Sequence, residues 1–235
     1  MAVIGIPLRY NKLPDKSCIL FIGEKLRRAI QKAGGFIIPI PPVQDVDYYD
    51  TSYNDYASLS EDEKKTIEKY LDMVDGIVFP GGRKITPFDK YLLDRCIKRD
   101  IPTLGICLGM QLMGAYHDGF NVYKNESEIN HFQDSFEGLA HSVKIEKNSL
   151  LYKILKKEKI EVNSFHSYHI LVNNEYSVNA YSEDGYIEGV ELKGAKFNLG
   201  IQWHPEVSYS FDDNSRKIID YFIKVCNKSK KSVDK

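Results

Sequence analysis

The run Gly105-Ile106-Cys107-Leu108-Gly109-Met110-Gln111 has the residue types and spacing of a reactive thiol. Cys107 stands between glycines two positions before it and two after. It lies just beyond the apolar Ile101-Pro102-Thr103-Leu104 and ahead of an amphipathic segment from Leu108 to Tyr116. That order predicts strand, sharp turn, helix: a nucleophile elbow, whose side chain is exposed on a strained turn at the carboxyl edge of a sheet. The flanking glycines let neighbouring backbone approach closely, and a helix N-terminus behind the sulfur favours thiolate over thiol. Free cysteines are more often small buried hydrophobes. Cys18, Cys96 and Cys226, in helical or apolar runs without a glycine frame, are read in that way.

A thiolate nucleophile needs a base, an orienting acid and an oxyanion hole. His204 ends the apolar run Phe197-Asn198-Leu199-Gly200-Ile201-Gln202-Trp203 and is followed by Pro205 and Glu206. A two-residue spacing in extended chain aims both side chains the same way, and the proline fixes the backbone between them. Glu206 is therefore placed to hold the imidazole tautomer while the other ring nitrogen faces Cys107. Phe79-Pro80-Gly81-Gly82 follows another apolar strand, and its glycines let backbone N–H groups turn toward a ligand. The expected oxyanion donors are Gly82 and Leu108, the residue after the nucleophile.

The elements that must position these groups alternate through the first half. Ala2 to Ile6 reads as a strand and Leu20 to Lys32 as a helix stopped by Gly34-Gly35. Phe36 to Ile40 follows as a strand, then a helix from the capping box Ser60-Glu61-Asp62-Glu63 to about Met73. Gly76 to Phe79 is a strand, Phe88 to Lys98 a helix, and Thr103 to Ile106 the strand feeding Cys107. Apolar strands separated by helices predict a parallel sheet covered on both faces. The second half reads as strands at Ser142–Ile145, Lys159–Asn163, Ser177–Tyr181, Tyr186–Leu192 and Phe197–Trp203, closed by a helix from about Asn214 to Cys226. The alternation in Tyr186 to Leu192 predicts a half-exposed antiparallel strand. One domain over residues 1–227 is expected, followed by a polar, frayed tail at 228–235. The acidic, tyrosine-rich stretch 44–56 reads as a surface loop, with a lid over the site as the sharper alternative.

Of the 235 residues, 43% are hydrophobic and 28% charged, which suits an α/β domain with a substantial core. A net charge of −1 gives no electrostatic case for nucleic acid or an anionic membrane. No apolar run is long enough to span a bilayer. Four cysteines without paired spacing argue against a disulfide framework and a CxxC zinc site, and fit a cytoplasmic setting. His131 and His141 are read as structural or surface residues, with a place facing the substrate channel as the alternative, and His117 as a helix C-terminal dipole partner. The histidine spacing shows no metal-ligand arrangement, so neither metal nor cofactor is expected.

Pro80-Gly81-Gly82, then Gly-x-Cys-x-Gly-x-Gln at 105–111, then His204-Pro205-Glu206 resemble, in order and spacing, the class I glutamine amidotransferase superfamily over nearly the whole chain. Ile4-Gly5-Ile6, Val162-Asn163-Ser164-x-His166 and Ala140-His141-Ser142-Val143 bring it nearest the gamma-glutamyl-gamma-aminobutyrate hydrolase, or peptidase C26, group. The resemblance implies a three-layer α/β/α, flavodoxin-like fold with a mostly parallel central sheet and added antiparallel strands in the C-terminal half. It also implies that Cys107 attacks a γ-glutamyl amide to form a thioester, with His204 as base and then acid, Glu206 as its orienting group, and Gly82 and Leu108 as oxyanion donors. Gln111 would bind the glutamyl group, and Ser167 and Tyr168 its amino-acid end. Water would release glutamate. Two departures bear on the substrate: Arg83-Lys84-Ile85-Thr86-Pro87 leads quickly from the glycine turn into a helix, and Ser167-Tyr168-His169 follows His166 where a histidine and a glutamine are usual. Arg83 either meets an acidic leaving group or is a solvated loop arginine. The expected partner is a small γ-glutamyl compound, with a homo-oligomer left open. The alternatives are a glutaminase subunit that feeds ammonia to a partner synthase, and an inactive binding module.

Overall fold

A computed structural model describes residues 1–15, 17–44, 58–114, 122–172 and 175–233. The chain runs β1 (Val3–Pro7), β2 (Arg9–Lys12), β3 (Cys18–Phe21), α1 (Glu24–Lys32), β4 (Phe36–Ile40), α2 (Glu61–Asp72), β5 (Gly76–Phe79), α3 (Pro87–Lys98), β6 (Thr103–Ile106) and α4 (Leu108–Gly114). It continues through β7 (Val122–Lys124), β8 (His141–Ile145), α5 (Leu150–Leu155), β9 (Lys159–Val162), β10 (Tyr168–Ile170), β11 (Ser177–Ser182), β12 (Ile187–Glu191), β13 (Asn198–Ile201), α6 (Pro205–Ser208) and α7 (Asp213–Val233).

Nine strands form one sheet in the order β4-β1-β5-β6-β13-β12-β11-β8-β9. The pairings from β4 to β13 are parallel and those from β13 to β9 antiparallel. The parallel half is built of short strands apolar on both faces, such as Gly76-Ile77-Val78-Phe79, because helices cover both sides. One apolar cluster packs α1, α5 and α7 against the sheet through Leu26, Ile30, Leu151, Ile218 and Phe222. The other packs α2, α3 and α4 through Ile67, Leu71, Leu92 and Met110. This is the three-layer α/β/α arrangement expected, with antiparallel strands added in the C-terminal half.

Local sequence explains most element boundaries. Ser60 and Glu63 form a reciprocal capping box on α2, and Thr86 and Asp89 form one on α3. Three segments depart from the sequence reading. The helix expected from Leu20 begins only after Gly23; residues 18–21 form instead the second strand of a hairpin with β2. Cys18 is consequently exposed rather than packed away. β12 is not half-exposed: it lies inside the sheet, flanked by β11 and β13, with Glu188, Gly189, Val190 and Glu191 all buried. Both acids of β12 face interior partners, and Glu191 accepts the Leu150 N–H at the start of α5. The closing helix α7 runs to Val233 and takes in most of the segment read as a frayed tail. His117 and the tyrosine-rich stretch beyond Gln44 lie outside the described residues.

A buried ion pair ties the N-terminal hairpin to the glycine turn after β5. Arg9 Nη1 donates to Asp89 Oδ1 at 2.7 Å, and Nη2 donates to the Pro80 carbonyl at 3.1 Å. Asp89 is 2% exposed and also receives the Thr86 N–H and hydroxyl. Removing one partner strands the other charge in the interior, at a cost of about 3–5 kcal/mol. Asp89→Ala is therefore expected to lower the unfolding free energy by about that amount in urea titration; a loss no larger than that of an exposed pair would show that Arg9 is satisfied without it.

Candidate active site

The elbow follows from register. β6 and β13 pair in parallel with Gly105 opposite Gly200 and Ile106 opposite Ile201. The Cys107 N–H continues that ladder to the Ile201 carbonyl at 2.8 Å. Cys107 then takes φ +53°, a left-handed conformation strained for a residue with a Cβ. α4 starts at the next residue, with the Gln111 N–H on the Cys107 carbonyl at 3.0 Å. The glycine frame has a packing cause as well. A Cβ on Gly105 would lie 2.7 Å from the Gly109 carbonyl carbon, so the strand and the helix it feeds touch backbone to backbone.

β13 delivers His204 to the same edge. Its ring is hydrogen-bonded to Cys107 on one side, and on the other its Nδ1 lies 2.7 Å from Glu206 Oε1. Burial alone would raise the Cys107 thiol. The charge of His204 and its hydrogen bond, with a smaller contribution from His166, outweigh burial and hold the thiol below its ordinary range. Burial works against the His204 cation too, but the Glu206 carboxylate and the Cys107 thiolate raise it well above the usual imidazole range. Both shifts favour the thiolate–imidazolium form of the pair, which can attack an acyl carbon and then return a proton to a leaving amine.

Gly82 and Leu108 are neighbours across the site: a Cβ on Gly82 would sit 3.0 Å from Leu108 Cδ2. Leu108 opens α4, where a helix leaves its first N–H groups without an intrahelical acceptor. A Cβ on Gly81 would sit 2.9 Å from His204 Cε1, so that turn must be glycine for the imidazole to fit. Gln111 is buried. Its Nε2 donates to the Tyr168 carbonyl at 3.0 Å and to Gln202 Oε1 at 3.1 Å, which joins α4 to β10. Gln111, Ser167 and Tyr168 line one cavity of about 480 Å³ with Gly82, Cys107 and Leu108. A second cavity of about 490 Å³ lies on the other side of the turn, lined by Arg9, Gly81, Gly82, Arg83, Lys84 and His204. The two share Gly82 and Arg83, so the sulfur and the imidazole stand near their junction.

Sequence reasoning missed three features. Asn163, fully buried, receives the His204 N–H at 2.9 Å and donates to the His204 carbonyl at 2.8 Å, clamping the backbone that aims the ring. Only its place in the Val-Asn-Ser-x-His run could have flagged it. Arg9 holds the glycine turn from a hairpin whose second strand overlaps the segment read as helix. Finally, His131 and His141 are not surface residues. With His166 and Glu188 they form a buried group whose ligand-type atoms all lie within 4.8 Å of one another, which overturns the expectation that the histidines make no metal-type arrangement. The four come from separate segments and form no local motif.

With the geometry in hand, the kinship is clear. The peptidase C26 family model matches residues 88–206, half of the chain, and the protein belongs to that family of glutamine amidotransferase-type hydrolases. In particular, it is 27% identical to a gamma-glutamyl-gamma-aminobutyrate hydrolase of Escherichia coli, over 95% of this chain and 93% of the relative. It shares its fold with the glutaminase domain of Trypanosoma brucei CTPS, solved with bound acivicin (TM-score 0.67, 16% identity, 97% of this chain and 94% of that one). A glutamine amidotransferase of Thermotoga maritima also shares it (TM-score 0.55, 14% identity, 96% of each chain). Among the described residues no helix is long and apolar enough to cross a membrane.

Asn163→Ala is expected to leave the sheet folded but free His204 to turn from Cys107. The thiol should then titrate higher, and alkylation by iodoacetamide near neutral pH should slow by about tenfold for each unit of rise. An unchanged alkylation rate in a variant that melts cooperatively would show that Asn163 does not hold the imidazole.

Proposed function

We propose that the protein hydrolyses the γ-glutamyl amide bond of a small molecule through a γ-glutamyl thioester on Cys107, releasing glutamate and an amine. What carries this reading is the Cys107–His204–Glu206 constellation at the junction of two cavities. In the proposed course the Cys107 thiolate adds to the amide carbonyl. The oxyanion is met by the N–H groups of Gly82 and Leu108, an arrangement that contributes about 3–4 kcal/mol per donor in other acyl-transfer enzymes. His204 gives its proton to the leaving amine, then takes one from the water that cleaves the thioester. Glu206 keeps Nδ1 protonated and stabilises the imidazolium.

The glutamyl moiety is assigned to the cavity of Gln111, Ser167 and Tyr168, and the leaving amine to the cavity beside Arg9 and Lys84. Among the described residues that line it, Arg9, Arg83 and Lys84 stand against one acid, Asp89, which gives that second wall a positive balance. An amine that carries its own carboxylate suits such a wall better than a polyamine does. The E. coli relative's name, with γ-aminobutyrate as the amine, agrees with this chemistry.

The test is glutamate release by the purified chain alone, from glutamine and from γ-glutamyl amides of acidic, neutral and cationic amines. Release from the acidic amides well above that from glutamine is expected, with Cys107→Ala reducing it more than about a thousandfold. Little release from anything despite a reactive thiol would instead favour a glutaminase subunit that waits for a partner synthase. An unreactive thiol would favour a binding module.

Glu206→Gln should cost roughly one to two orders of magnitude less than Cys107→Ala, and it should change the pH profile in one direction. Glu206 raises His204, so its loss lets the imidazolium deprotonate at lower pH. The basic limb of kcat/KM should therefore move down. A limb that stays or moves up would remove Glu206 from this role.

A further inference from the structure

Behind the wall that carries Ser167 and Tyr168, three imidazoles and a carboxylate converge in the interior. His131, His141, His166 and Glu188 are 4, 7, 4 and 0% exposed. His131 Nδ1 lies 3.2 Å from His166 Nε2 and 3.5 Å from Glu188 Oε1. His166 Nε2 and His141 Nε2 lie 3.3 and 3.9 Å from the same oxygen. Four ligands bound tetrahedrally to zinc at its usual bond lengths of about 2.0–2.1 Å stand roughly 3.3 Å apart. The separations among His131, His166 and Glu188 are near that edge length, His141 stands wider, and all four ligand atoms lie within 4.8 Å of one another.

The outward-facing nitrogens decide what lies inside. His131 Nε2 is 2.9 Å from Asp184 Oδ2, His166 Nδ1 3.0 Å from the Tyr168 carbonyl, and His141 Nδ1 3.2 Å from the Ser142 carbonyl. Carboxylates and carbonyls only accept, so the ring protons sit on these outer atoms. Asn125 Nδ2 also approaches His166 Nδ1, but at 3.4 Å and with the His166 carbonyl as its nearer acceptor. A neutral imidazole with its proton outside turns a lone pair inward. With all three rings neutral, as metal ligation requires, three lone pairs and the Glu188 oxygens face one another in the interior. Among the described residues neither Glu188 oxygen nor His141 Nε2 has a hydrogen-bond partner of acceptable geometry. Buried acceptors facing only acceptors are costly to leave unmet. A divalent cation answers all four at once, and an outer acceptor on each ligating histidine is the usual second layer of a metal site.

We propose that His131, His141, His166 and Glu188 bind a divalent transition-metal ion of the zinc class as a closed, structural site. The donor set is three imidazoles and one carboxylate, which suits zinc. Four protein ligands without an open position make it structural rather than catalytic. Its place in the fold gives it a task. It ties β8 and β12 to the segment before β10, and so fixes the carbonyl of Tyr168 that both His166 and Gln111 address.

The experiment is metal analysis of the chain purified without chelators or metal-affinity resin, followed by chelation and readdition of Zn²⁺ or Co²⁺. One equivalent of metal per chain is expected. The metal-free protein should melt at a lower temperature and recover on readdition, and Co²⁺ should give the visible bands of a tetrahedral site. Glu188→Gln and His141→Ala should lose the metal. Cys107→Ala should keep it, which separates this site from any metal held by the reactive thiol and leaves the test independent of the proposed reaction. A folded wild-type chain that carries no metal, and whose melting point and spectrum ignore added Zn²⁺ and Co²⁺, would overturn the proposal and leave a shared proton as what joins these groups. Loss of the metal in Cys107→Ala would overturn it equally.

Discussion

The parallel pairing of β6 with β13 is the constraint on which the site depends. Cys107 and His204 are far apart in sequence, and neither can reach the other through local structure. Alignment of Gly105 with Gly200 and Ile106 with Ile201 brings both strands to the same edge, and the Cys107 N–H takes the last rung of that ladder on the Ile201 carbonyl. Each chain then turns at once, one into α4 and the other into α6. A slip of one residue would send both side chains to the opposite face of the sheet. The short, fully buried strands and their glycines serve that alignment, since any side chain at Gly105 would force α4 away from the strand that precedes it.

Around this rung lie groups that hold the pair without reacting. Asn163 grips the backbone of His204, Glu206 grips its ring, and Arg9 grips the Pro80 carbonyl of the turn that borders the imidazole. Each is buried or nearly so, where hydrogen bonds to charged groups are strong and unpaired ones are expensive. The same low dielectric sustains a thiolate beside an imidazolium: separated, either charge would be neutralised by burial, and together each supports the other.

The fold was largely legible because the parallel half obeys local rules. Apolar runs such as Gly76 to Phe79, capping boxes at Ser60 and Thr86, and the glycine pair after α1 each mark an element by its own chemistry. Cys107 and His204-Pro205-Glu206 were legible for the same reason, since an elbow and a strand-end triplet carry their signal in consecutive residues. The unread parts depend on distant partners. Leu20 and Ile22 continue the helical spacing of Leu26 upstream of α1, but Gly23 and the pairing of residues 18–21 with β2 make a hairpin instead. Glu188 in an alternating strand looks solvent-facing until β12 is known to lie inside the sheet. The histidine cluster draws on four segments, so no window of sequence contains it.

The most direct test of the account is the near-ultraviolet thiolate absorbance of Cys107 as a function of pH, taken as wild type minus Cys107→Ser and repeated in His204→Ala. The expected result is a thiolate that persists below the ordinary cysteine range in the wild type, with a titration midpoint that moves to higher pH when the imidazole is removed. A wild-type thiol that titrates in the ordinary range, or a midpoint that His204→Ala does not move, would contradict it.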